Sequence, residues 1–193
     1  MNHATRFGLV AAAALAAAGP ASADIFLYSL DMLGVNESPP NASPGFGSGT
    51  VTWDTTAFTM TVDVSFSGLF GSTTAAHIHG PTAAAGTGTA GVATTTPSFV
   101  GFPLGVTAGV HQQVYDMSLS SSYNPSFITN NGGTPTSAGL ALKAAFDAGK
   151  AYYNIHTSAF GGGEIRGFLT LVPAPGATTL AGLVGLAALR RRR

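Results

Sequence analysis

Residues 58–66, Phe-Thr-Met-Thr-Val-Asp-Val-Ser-Phe, alternate without a break between apolar and polar side chains. Successive side chains of a β-strand point to opposite faces, so Phe58, Met60, Val62, Val64 and Phe66 share one face and the Thr, Asp and Ser residues the other. A helix would scatter the same pattern around its whole surface. The segment therefore demands a half-buried antiparallel strand, and its partner lies just upstream. Val51 and Trp53 alternate with Thr50, Thr52 and Asp54, and Asp54-Thr55-Thr56-Ala57 supplies the hairpin turn. Further strands are predicted at 25–32, 75–79, 98–102, 111–119, 151–157 and 164–171, separated by Gly-, Pro- and Asn-rich turns. One short crossover helix interrupts them: Ser137 caps it, Leu142, Ala145 and Phe146 share a face, and Gly149 stands past its end. The Ala/Gly/Thr-rich stretch 82–96 reads as a mobile loop. Seven or eight short strands with one helix predict an all-β, antiparallel Greek-key β-sandwich.

Charge narrows the function classes. Only 8% of the residues are charged, against a typical ~25%. Four arginines, Arg190 to Arg193, close the chain and Arg6 lies near its start. Between them the basic residues are Lys143, Lys150 and Arg166 against eight acids, which leaves the body at −5. Nucleic acid is excluded as a partner, because its binding needs clustered Lys and Arg to displace counterions. There is no cysteine, so the domain stands without disulfides and holds no thiolate metal site.

The two ends read as addresses. Residues 1–23 have the form of a secretory signal: Arg6, an apolar run from Leu9 to Ala18, and a small-x-small cleavage site at Ala21-Ser22-Ala23. The apolar run falls short of the ~20 residues that span a bilayer. At the other end Val172-Pro173-Ala174-Pro175-Gly176 precedes an apolar run from Ala177 to Leu189 and the arginine cluster. A terminal Arg cluster stays cytoplasmic by the positive-inside rule. This tail, 172–193, resembles the PEP-CTERM sorting signal of Gram-negative bacteria, with alanine where that motif has glutamate. The resemblance implies exosortase-type sorting machinery as a partner, transient membrane association through the tail, and a destination in the cell envelope, on the outer surface or in the extracellular matrix.

Between the addresses, residues 24–171, three motifs carry the chemistry. Ala76-His77-Ile78-His79-Gly80 places two imidazoles two residues apart, hence on one face of a strand. Tyr153-Asn154-Ile155-His156-Thr157 does the same for Asn154 and His156. Gly161-Gly162-Gly163-Glu164-Ile165-Arg166-Gly167 is a glycine turn entering a strand with Glu164 and Arg166 on one side, read as an ion pair. Together with Asn36-Glu37-Ser38-Pro39-Pro40, these ordered motifs resemble the chordin-type (CHRD) domain across roughly 25–171, in a bacterial version. That resemblance implies an antiparallel sandwich in an extracellular setting, and no settled activity.

The His-x-His strand also resembles the copper strand of copper/zinc superoxide dismutase, which implies a superoxide-dismutase-like sandwich. Neutral imidazoles are good ligands for copper or zinc, and two from one strand with one from another make a three-ligand site with an open position. The candidate ligands are His77, His79 and His156, with His111 a fourth at the start of its strand. The body's four histidines and missing cysteines argue against a paired-metal dismutase. The alternative is a polar network in which His77, His79, Asn154 and His156 brace two strands. Nucleophile elbow, phosphate loop and dinucleotide fingerprint are all absent from the sequence. The leading expectation is a non-enzymatic envelope or matrix protein with a structural or adhesive role, held among exopolysaccharide or other envelope components. The alternative is a mononuclear copper- or zinc-binding protein, with redox activity, built on the three histidines.

Overall fold

The computed structural model describes residues 24–173. Residues 1–23, read above as a secretory signal, and the part of the expected sorting tail beyond Pro173 lie outside the described residues. Eight strands carry the fold: β1 (Ile25–Leu33), β2 (Phe46–Asp54), β3 (Thr59–Ser67), β4 (Thr73–His79), β5 (Gly109–Asp116), β6 (Tyr152–Thr157), β7 (Ile165–Phe168) and β8 (Thr170–Leu171). They form one antiparallel sheet in the order β4-β6-β7-β1-β2-β3-β5, with β8 also paired to β1, curled into a half-barrel. Two helices, α1 (Pro125–Asn130) and α2 (Pro135–Asp147), lie between β5 and β6.

The alternating segment behaves as its pattern requires. Met60, Val62, Val64 and Phe66 are buried, and Val62 faces Val51 across the β2–β3 ladder. The inside of the curl is filled by these residues with Tyr28, Leu30, Met32, Trp53, Ile78, Tyr153, Ile155 and Ile165. Helix α2 closes it, Phe146 meeting the rings of Tyr28 and Trp53 edge-on at 5.3 and 5.7 Å. Burying side chains of this size stabilises by about 1.5–3 kcal/mol each, and with no disulfides they hold the fold.

Four local expectations need correction. Phe58 is not in the strand: it sits in the turn with φ +52°, and Asp54 Oδ1 accepts from the Thr56 and Ala57 amides beside it. Its ring still packs against Trp53, so its apolarity serves the core from outside the ladder. Residues 98–102 form no strand. Pro97 and Pro103 bracket them and Gly101 takes φ +81°, so the chain turns and plugs Phe99 and Phe102 into the core. Ser137 does not cap α2 either. Thr134 does, and Ser137 returns the bond as the reciprocal partner of a capping box, after Pro135 at the first helical position. Gly149 takes φ +63° just past the helix, as anticipated. The sequence also predicts one helix where the described residues hold two.

The stretch 82–96 is pinned by main-chain bonds. Ala93 N–H donates to Ile78 O, Gly86 N–H to Gly149 O, and Thr94 Oγ1 accepts from the Ile78 amide. Thr82, Ala93 and Thr94 are buried. Residues 92–94 of the segment run along the free edge of β4, while Gly88 and Ala90 reach Arg166, Tyr152 and His79 on the outer side of the sheet.

Candidate metal centre

Alternation along β4 and β6 decides which side chains meet. Ala76, Ile78, Tyr153 and Ile155 point into the curl, so His77, His79, Asn154 and His156 point to its outer side. The ladder pairs His77 with Asn154 and Ala75 with His156, which brings the third histidine beside the first two. His77 and His156 have ring centroids 5.2 Å apart, His77 and His79 5.7 Å, His79 and His156 5.8 Å. One ring nitrogen from each lies within 4.8 Å of the others.

The other ring nitrogens fix the tautomers. A carbonyl only accepts, so His77 Nε2 donates to Pro97 O at 2.6 Å, His79 Nδ1 to Ala90 O at 2.9 Å, and His156 Nδ1 to Gly161 O at 3.0 Å. The remaining atoms, His77 Nδ1, His79 Nε2 and His156 Nε2, are buried and have no hydrogen-bond partner among the described residues. Each of them is a lone pair on a neutral ring. Burial lowers the pKa of all three histidines, to about 4 for His79, against the smaller effect of the carbonyl bonds. Three buried, unpartnered nitrogens close together are costly if nothing joins them. A metal at about 2.0–2.1 Å from each nitrogen would draw them closer still. Carbonyl partners on the opposite nitrogen are the usual second shell of metal-bound imidazoles.

His111 is elsewhere. It is buried on β5, with Nδ1 2.9 Å from Tyr153 Oη and Nε2 2.8 Å from Tyr115 Oη. This further candidate thus belongs to the core, its strand sitting at the opposite edge of the curled sheet, and the ligand set stays at His77, His79 and His156.

Glu164 and Arg166 are not an ion pair. Glu164 takes Ser43 Oγ at 2.5 Å, Thr157 Oγ1 at 2.6 Å, the Phe70 amide at 2.5 Å and the Gly71 amide at 3.1 Å. These bonds to the charged form outweigh burial and lower its pKa. Arg166 donates through Nε to Asn36 O and through Nη1 to Gly88 O at 2.8 Å, and stands 3.8 Å from Glu37. Its guanidinium lies over the Tyr152 ring at 4.6 Å, and Tyr152 in turn stacks on His79 at 4.9 Å with 6° between the planes. Arg166 is therefore layered against the histidine cluster through one aromatic ring.

Sequence reasoning missed three participants. Glu37 is buried with Oε1 unpartnered among the described residues, and burial raises its carboxyl to about 7 in spite of Arg166. Gly163, at φ +130°, leaves room for it: a Cβ there would stand 2.7 Å from Glu37 Oε1 and 2.6 Å from both side-chain polar atoms of Asn154. Tyr153 was read only as part of a strand. The early Asn-Glu motif was the available signal for Glu37, and the inward alternation of β6 for Tyr153. The carbonyls of Ala90, Pro97 and Gly161 carry no side-chain signal at all.

The family model described as the CHRD domain matches residues 28–169. Neither the curated proteins nor the solved structures contain a match.

Proposed function

The chain belongs to the CHRD domain family, and from that premise we propose that its extracellular-type binding domain holds one copper or zinc ion on His77, His79 and His156. The observation that carries this reading is the set of three buried lone pairs, His77 Nδ1, His79 Nε2 and His156 Nε2, each on a ring whose other nitrogen is tied to a carbonyl. A bracing network would have joined the rings to each other or to Asn154, and among the described residues no such bond exists. All-nitrogen donor sets of this kind suit copper and zinc, and three protein ligands leave a position open to a small molecule. In the same proposal the protein is exported through residues 1–23, sorted by a PEP-CTERM-like tail through exosortase-type machinery, and displayed at the cell envelope. The superoxide-dismutase-like Greek-key arrangement is part of this reading. It is supported by two edge strands, β4 and β5, that reach their places by crossing the sheet.

Calorimetric titration of tag-free, metal-stripped protein tests the centre. One Cu(II) or Zn(II) per chain is expected. His156→Ala or His77→Ala removes binding, and His111→Phe leaves it in place. Protons compete with metal for the ring nitrogens, and burial has moved that competition below the ordinary histidine range. Binding should therefore persist at pH 6, where an ordinary imidazole is already protonating, and weaken at lower pH as the three rings take up protons. Absence of saturable binding at micromolar metal would leave the histidines without this role.

A further inference from the structure

The core holds a second histidine centre of a different kind. Tyr115 Oη donates its proton to Val100 O at 2.8 Å, so it has only lone pairs to offer His111 Nε2. His111 Nε2 must then carry the ring proton and donate to Tyr115. His111 Nδ1 is left as an acceptor, and the group 2.9 Å from it is the Tyr153 hydroxyl. The hydrogen bonds run in one direction: Tyr153 O–H to His111, His111 N–H to Tyr115, Tyr115 O–H to Val100. All three side chains are buried, Tyr153 and His111 to within 1% of full burial, among Phe99 and Phe102. Water has no access to quench a radical formed there.

This pair lies one sheet thickness from the proposed metal centre. Tyr153 is directly opposite Ile78 on β4, and Ile78 sits between His77 and His79. Cross-strand neighbours have Cα atoms about 4.5–5.5 Å apart, so the Tyr153 backbone is within a few ångströms of two ligand-bearing residues. Its ring points to the core and theirs to the outer side.

We propose that Tyr153 is a redox-active tyrosine that gives one electron to the metal centre while its phenolic proton passes to His111 Nδ1. The inference rests on copper occupying the three-histidine site, and the oxidant is hydrogen peroxide meeting the reduced metal. Cu(I) supplies one electron and Tyr153 the second. The peroxide O–O bond breaks, and with two protons from solvent it leaves as two waters. Cu(II), a neutral Tyr153 phenoxyl radical and an imidazolium at His111 remain. The protein's centre would thus discharge peroxide without releasing a hydroxyl radical, the oxidising equivalent being stored on a residue shielded from solvent.

Two arms of one electron paramagnetic resonance experiment separate this inference from the metal reading. In the first, metal-free full-length protein is oxidised by a photogenerated ruthenium(III) complex. A neutral tyrosyl signal is expected, narrowed when the protein is grown on ring-deuterated tyrosine, lost in Tyr153→Phe, retained in Tyr152→Phe, and short-lived in His111→Phe. Melting curves confirm that each variant is folded. In the second, Cu(I)-loaded protein receives one equivalent of hydrogen peroxide. The same signal should appear together with that of Cu(II), and Tyr153→Phe should abolish the radical while still binding copper. A radical located on another tyrosine in the first arm overturns the Tyr153–His111 pair. A Cu(I)-loaded protein that consumes its one equivalent of peroxide and becomes Cu(II) without a Tyr153 radical overturns the relay but leaves the metal centre. Failure to bind copper overturns both.

Discussion

At the residue scale the molecule sets two kinds of buried titratable group against each other. Glu37 is raised to about 7 by burial, and in the unfolded chain it titrates near 4.5. Between those values the folded state holds the extra proton, so this group's contribution is full below about pH 4.5 and is lost as pH rises through about 7. His111 is lowered to about 4 from 6.5, again by burial. There the unfolded state binds the extra proton, and stability falls as pH drops from about 6.5 towards 4. The two slopes oppose each other across the mildly acidic range. Glu37→Gln removes the first and keeps a side chain of similar shape. The difference in melting temperature between Glu37→Gln and the wild-type metal-free protein should therefore shift in the variant's favour from pH 4.5 to 7, by an amount on the order of 2–3 kcal/mol in stability. A pH-independent difference would show that Glu37 is ionised in the fold throughout, paired with Arg166.

At the scale of elements, the β2–β3 hairpin shows what patterning settles and what it leaves open. Val62 is fully buried opposite Val51, while Thr61 lies on the other face opposite Thr52. Val62→Asp strands a carboxylate in the curl and should cost several kcal/mol, whereas Thr61→Asp should stay within about 0.5–1 kcal/mol. Chemical denaturation of the two variants measures the contrast, and equal midpoints would refute the register. Period-two alternation made this hairpin readable from the sequence, along with β1, β4, β5 and β6, since a strand's faces follow directly from its residues. The segment 98–102 was misread because two phenylalanines near one another look like a strand whether a ladder or a plugged turn buries them. The loop 82–96 was misread because small residues advertise no anchor, and its anchors are main-chain bonds to β4 and to the end of α2. At the site, spacing alone put His77 beside His79 and His156 beside Asn154. Their convergence depends on β4 and β6 being neighbours in the sheet, an order that no local pattern encodes. Glu164 was paired with Arg166 by adjacency, yet each turned to partners more than a hundred residues away in sequence, Ser43 and Glu37.

At the scale of the whole molecule, the described chain begins and ends at one pole. The Thr55 amide donates to Asp24 O at the start of β1, and the Val172 amide to Leu27 O three residues on, after β8 has paired with Tyr28 and Ser29. The histidines lie towards the other pole. Leu33, at the far end of β1, pairs with Arg166, Arg166 with Asn154, and Asn154 with His77. Six residues of strand separate Leu27 from Leu33, about 20 Å at about 3.3 Å each. A tail leaving at Pro173 and held in a membrane would thus present the histidine-bearing pole outwards. Its removal would leave the pairing of the described residues as it is, because β8 and the Val172 amide close the sheet by Val172. A chain ending at Pro173 is expected to melt at the same temperature as the full-length protein and to bind metal with the same affinity. In the producing cell it should pass from the envelope fraction to the medium, and intact-mass analysis of the secreted form should lack residues 1–23. Retention of that shortened chain in the envelope would place the holding contact on the domain itself, and the exposed apolar side chains Phe46, Val110 and Val114 on the outer side of β2 and β5 would then be the surface to substitute.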